Sequence, residues 1–199
     1  APIPDEQHAE YAIRAGLAML EEVPHLNARL EKRGWPALAI GIGINTGQMR
    51  VGDMGSKIRK AYTVMGDAVN LGSRLEGITK TYGVGLIVGE ATKAEVPGFT
   101  FKELDRVRVK GKDEPVAIYQ PLGATSEVTQ AQTQSLKVWE VFLEEFRAQR
   151  WDEAAAKLDE LQALEGEQTL YRLYYDRMEV FRDDPPGEGW DGVTKFETK

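Results

Sequence analysis

Cysteine is absent from all 199 residues, so neither a disulfide framework nor thiolate chemistry is available. Long apolar runs are absent too. The longest, Ala37–Ile44, falls far short of the roughly 20 residues that span a bilayer, and the chain does not open on a basic segment followed by an apolar one. Positive charge is in deficit: 25 Lys and Arg stand against 32 Asp and Glu. The formal charge of −7 argues against a general nucleic-acid surface. Histidine occurs only at positions 8 and 25, isolated from each other in sequence, which gives no basis for a general base. Asp5, Glu6 and His8 read as a helix start complementing the helix dipole, not as metal ligands. Small-molecule chemistry and protein contacts remain.

The stretch Y-T-V-M-G-D-A-V-N-L-G-S-R-L-E, Tyr62–Glu76, carries the most information. A strand over Lys60–Met65 runs into a Gly-Asp turn and then a helix, with Asp67 as its expected N-cap, ending near Tyr82 before a left-handed Gly83. Val69, Leu75 and Ile78 are expected on its apolar side. Asn70 and Arg74, at i and i+4, share another face. An amide beside a permanently charged guanidinium suits a developing negative charge such as a transferring phosphoryl group. On spacing alone, the same pair also describes a solvated helix face.

Three blocks in order, I-G-I-N-T-G-Q-M-R-V-G-D-M-G (Ile42–Gly55), the Tyr62–Glu76 stretch and V-K-G-K (Val109–Lys112), resemble the class III nucleotidyl cyclases over about His8 to Gly123. These enzymes turn ATP or GTP into a cyclic 3′,5′-monophosphate and pyrophosphate. The resemblance implies that Asn70 orients the ribose, Arg74 stabilises phosphate charge in the transition state, and Lys110 contacts the terminal phosphates. It puts Thr63 at the base-contacting position, where Thr points to ATP; a guanylate cyclase is the weaker reading. It further implies two Mg²⁺ or Mn²⁺ ions per site, with metal aspartates and a base-selecting Lys upstream of Ala1. The site it implies is shared across a homodimer. Cyclases with Thr at this position are often stimulated by bicarbonate. If no upstream part supplies the metal ligands, the expectation is instead a catalytically inactive dimerisation or nucleotide-binding module. The catalytic portion is expected in the cytoplasm, with room for a membrane or sensor domain upstream.

The organisation expected from pattern is α+β, a ferredoxin-like sandwich with a mainly antiparallel sheet, which the cyclase resemblance also implies. The resemblance implies that residues 1–123 are the C-terminal two-thirds of the catalytic domain, and 124–133, rich in Ser, Thr and Gln, are expected to be a linker. Residues 134–199 form a helical extension and tail. Apolar spacing predicts a helix over Gln7–Lys32, with Pro24 as a kink or second start. A hairpin pairing Ala37–Asn45 with Gln48–Asp53 around Asn45-Thr46-Gly47 is expected next, then a loop over Met54–Arg59. A short strand at Gly85–Val88, a helical turn at Ala91–Glu95 and a second hairpin, Phe99–Val109 with Val116–Tyr119, follow. The glycines at 41, 43, 47 and 52 do not make a dinucleotide fingerprint, because the segment enters a hairpin and no helix. Beyond Gly123, three amphipathic helices are marked by Trp139, Phe142 and Phe146, by Ala155, Leu158 and Leu161, and by Leu170, Leu173, Tyr174 and Phe181. Trp151–Ala155 resembles the join of a tetratricopeptide-type helix pair. Gly187–Lys199 reads as a polar tail with an exposed Trp190.

Overall fold

The computed structural model describes residues 4–55, 60–109 and 114–196. The chain is α+β and divides into two compact units, residues 1–79 with 85–97, and residues 80–84 with 98–199.

In the first unit, helix α1 (His8–Glu31) runs as one helix through Pro24. The expected hairpin around Asn45-Thr46-Gly47 does not form. Strand β1 is only Ile42–Ile44 and pairs in parallel with β4 (Leu86–Gly89), Gly43 opposite Ile87. Strand β2 (Arg50–Gly55) pairs with β3 (Lys60–Met65) instead, antiparallel, Arg50 opposite Met65 and Gly55 opposite Lys60. Met54 and Gly55, expected in a loop, belong to β2; the rest of that segment, residues 56–59, lies outside the described residues. The reason is packing. Gly41 and Gly43 have no side chains because helix α2 (Asp67–Tyr82) lies against them: a Cβ on Gly43 would come within 2.2 Å of the Gly72 carbonyl oxygen, and one on Gly41 within 2.2 Å of Thr79 Oγ1. Alternate small residues on a short strand thus record a helix in close contact, and no turn is needed. On the other side of β1, Gly16 of α1 meets Ile44 and Leu86.

The buried side of α2 is Leu71, Leu75, Thr79 and Tyr82; Val69 and Ile78 are only half-buried. The helix ends as expected, with Gly83 at φ +66 and its amide donating to the Lys80 carbonyl. Helix α3 (Glu90–Ala94) follows β4 and stops before Pro97.

The second unit is built on the hairpin β5 (Phe99–Val109) and β6 (Val116–Ala124). Helices α4 (Gln130–Arg147) and α6 (Thr169–Asp183) each donate a side-chain hydrogen bond to a β5 carbonyl, and α5 (Trp151–Glu165) packs against both helices. Part of the Ser/Thr/Gln-rich stretch is helical, because Thr129 and Gln132 form a reciprocal capping box at the start of α4. Trp139, Phe142, Phe146, Leu158, Leu161, Tyr171 and Tyr174 fill the core, with Phe146 and Tyr174 edge to face at 4.8 Å. In α5 the buried alanine is Ala154; Ala155 is half-buried.

The C-terminal segment departs from the expected polar tail. Trp190 packs among Phe146, Trp151 and Phe181 at ring-centroid distances of 5.4, 6.0 and 5.2 Å. Thr194–Phe196 forms β7, parallel to β5. A polar stretch hides such a strand because three residues leave no periodicity to detect.

Candidate active site

The candidate residues lie where β3 turns into α2. Strand alternation puts Arg50 and Met65, Gly52 and Thr63, and Met54 and Ala61 together on one face of the β2–β3 ribbon. Thr63 has only a glycine across from it, and a Cβ on Gly52 would meet nothing within 4 Å. Its hydroxyl face is therefore unobstructed, and Thr63 itself is exposed. On the same face, Arg50, Met54 and Met65 join Gln48, Met49 and Gly66 around an open cleft of about 590 Å³ at the base of the ribbon.

Gly66 makes the transition. Its carbonyl accepts from the amides of Val69 and Asn70, both at 3.1 Å, so Gly66 is the capping residue and Asp67 the first helical one. This corrects the expected Asp67 cap. The carboxylate instead stands in the first turn, where it complements the helix dipole. Asn70 is exposed and Arg74 half-buried, one turn apart on the edge of α2 next to the buried Leu71 and Leu75. Thr63, Asn70 and Arg74 thus sit on two consecutive elements with Gly66 between them. Lys110 lies outside the described residues.

One contributor is not visible in the sequence pattern. Asn45, a turn residue by its local context, donates its Nδ2 to the Ala68 carbonyl at 3.0 Å and so ties the first turn of α2 to the end of β1. Gly89 makes room for it, since a Cβ there would lie 2.4 Å from Asn45 Oδ1; a Cβ on Gly47 would meet that of Ala68 at 2.7 Å. The available signal is the run of small residues in G-I-G-I-N-T-G.

Among the described residues, no three His, Asp or Glu side chains converge on a position that could hold a metal ion. Asp5 and His8 have local partners instead. Asp5 accepts from the Gln7 amide at 2.9 Å, and His8 Nε2 lies 3.3 Å from Glu95 Oε2. No helix among the described residues is long and apolar enough to cross a membrane.

Residues 2–120 match the family model of the adenylate and guanylate cyclase catalytic domain. Adenylate cyclase 1 of Rhizobium meliloti (strain 1021) is 37% identical over 129 residues, 64% of this chain and 19% of that protein. The adenylate cyclase of Anabaena cylindrica is 35% identical over 124 residues, 58% of this chain and 25% of that protein. This chain therefore spans a quarter or less of those relatives. Among solved structures, the guanylyl cyclase Cya2 superposes with a TM-score of 0.57 at 30% identity, covering 65% of both chains. The adenylyl cyclase CyaB from P. aeruginosa superposes at 0.56 and 29% identity, covering 63% of this chain and 64% of that one.

Proposed function

Because the chain belongs to the adenylate and guanylate cyclase catalytic domain family, we propose that the protein containing it is an adenylate cyclase, converting ATP to cyclic AMP and pyrophosphate. The observation that carries the reading is the Thr63–Gly66–Asn70–Arg74 arrangement: an unobstructed hydroxyl on β3, then an amide and a guanidinium one turn apart at the start of α2.

In this proposal the Thr63 hydroxyl hydrogen-bonds the adenine edge, the Asn70 amide orients the ribose, and Arg74 meets the charge that grows on the α-phosphate as the 3′-oxygen attacks. Lys110 contacts the terminal phosphates. The protein's work is positioning and charge stabilisation, since phosphoryl transfer asks for little covalent participation. The site is completed by a second copy of the protein, and two divalent ions are held by groups that the described residues do not provide.

The preference for ATP rests on Thr63, because a site built around one hydrogen bond rejects a base with the opposite donor–acceptor pattern. Turnover of ATP and GTP by the full-length protein, with cyclic nucleotide and pyrophosphate both quantified, tests it. Cyclic AMP and pyrophosphate in equal amounts from ATP, with little product from GTP, is the expected result. Equal turnover of the two nucleotides removes the Thr63 argument, and no cyclic product from either removes the enzyme reading.

A further inference from the structure

Two residues just past β1 each hold a different helix of the first unit. Asn45 donates its Nδ2 to the Ala68 carbonyl in the first turn of α2, at 3.0 Å. Thr46 turns to α3, its Oγ1 3.1 Å from that of the fully buried Thr92. Two residues before Asn45, Gly43 meets α2 one turn further along, at Gly72 and Glu76. Gly72 lies over both contacts: a Cβ on it would stand 3.8 Å from the Asn45 Cβ and 3.8 Å from the Gly43 carbonyl oxygen. The other end of the Asn45 amide rests on β4, where a Cβ on the buried Gly89 would come within 2.4 Å of Oδ1.

The Gly43 and Asn45 contacts do different things. A glycine against a helix backbone fixes how closely the helix approaches, but it has no direction, so the helix can still slide or roll on the strand. A hydrogen bond weakens steeply once its angle or length departs from the optimum, so a bond to one named carbonyl fixes both the roll and the register of the helix. The Ala68 carbonyl is already an acceptor in the i→i+4 ladder of α2, and its second lone pair takes the Asn45 amide. Water serves that lone pair in the unfolded chain, so the net gain in stability is modest and the main effect is on geometry.

We propose that Asn45 is a positioning residue: its amide, seated on Gly89 and bonded to the Ala68 carbonyl, sets the roll and register of the first turns of α2, and with them the placement of Asn70 and Arg74. Those two residues follow Ala68 by about 3 and about 9 Å along the helix axis, so the anchor lies within the same turns that carry them. The activity readout rests on the cyclase reading above.

The test is a pair of matched variants in the full-length protein. Asn45→Ala and Thr46→Val each delete one side-chain hydrogen bond at the exit of β1, but only the first bond reaches α2. Asn45→Ala is expected to lower kcat roughly 10-fold with nucleotide KM within about 2-fold, as for a small misplacement of positioned groups. Thr46→Val is expected to lose similar thermal stability and keep wild-type kcat. Asn45→Asp keeps the shape but sets an acceptor against the Ala68 carbonyl, and should lose at least as much kcat as Asn45→Ala. Equal kcat losses in Asn45→Ala and Thr46→Val, no loss in Asn45→Ala, or wild-type kcat in Asn45→Asp would overturn the proposal.

Hydrogen exchange of the α2 amides from Asn70 to Arg74, measured without nucleotide, separates this idea from the cyclase reading. Faster exchange in Asn45→Ala but not in Thr46→Val supports the anchor even if the wild type makes no cyclic nucleotide. Unchanged exchange in Asn45→Ala, or equal acceleration in both variants, refutes it.

Discussion

Gly43 of β1 and Glu76 of α2 are in direct backbone contact: a Cβ on Gly43 would lie 2.3 Å from the Glu76 amide nitrogen and 2.2 Å from the carbonyl oxygen of Gly72. Neither atom belongs to a side chain that can rotate away, so any methyl at position 43 must push α2 off the strand. Gly43→Ala is therefore expected to destabilise the fold by about 3 kcal/mol, the upper range for overpacking. A Cβ on Gly77, in the same helix, would meet nothing within 4 Å. Gly77→Ala should stabilise by about 0.5–1 kcal/mol through helix propensity. Urea midpoints of the two variants should move in opposite directions.

Lys102 gives a pH prediction. It is 7% exposed, with its ammonium 4.5 Å from the Trp139 ring centroid, 3.3 Å from the Tyr171 hydroxyl and 4.0 Å from Glu165. Burial pulls its pKa down from the ordinary 10.5 to about 8, partly countered by Glu165. Between those two values the unfolded chain binds a proton that the folded chain does not, so this group's contribution to stability rises with pH across that window. Below about pH 8 both states are charged and the penalty is constant. Lys102→Met should then be more stable than wild type near pH 7, by at most about 3 kcal/mol, with the advantage shrinking toward about pH 10.5. Paired melts at about pH 7 and about pH 10 check it; a constant difference would show that the ammonium is not under strain.

Trp190 tests whether the C-terminal segment is part of the core. Its ring contacts with Phe146, Trp151 and Phe181 predict that Trp190→Ala costs about 1–2 kcal/mol, less than a fully buried aromatic because the residue is half-buried. A melting temperature equal to wild type would show that the segment does not pack on the helices.

Much of the fold was legible because period and punctuation agreed. Helix α2 to Gly83, the long strand β5 and the aromatic stripe of α4 all follow from local pattern. The β1–β4 pairing was not legible, because Asn45-Thr46-Gly47 suggested a turn while Gly41 and Gly43, small to admit a helix distant in sequence, read as ordinary strand residues. Asp105 was silent for a related reason. An acid in an alternating strand looks solvated until a register slip and partners from α2, α6 and β7 are brought to it. Of the candidate site, helical spacing put Asn70 and Arg74 on one helix and strand pattern put Thr63 in β3, where they lie, but the roles proposed for them came only from the family resemblance. Asn45 was not legible, since its role depends on where the Ala68 carbonyl lies.

The most direct measurement of the central claim is steady-state kinetics of Arg74→Ala in the full-length protein, with nucleotide affinity determined separately by equilibrium binding. A guanidinium that acts mainly on transition-state charge predicts a fall in kcat of roughly 10²-fold or more with affinity changed only slightly. Wild-type kcat in the variant, or equal losses in kcat and affinity, would contradict the account.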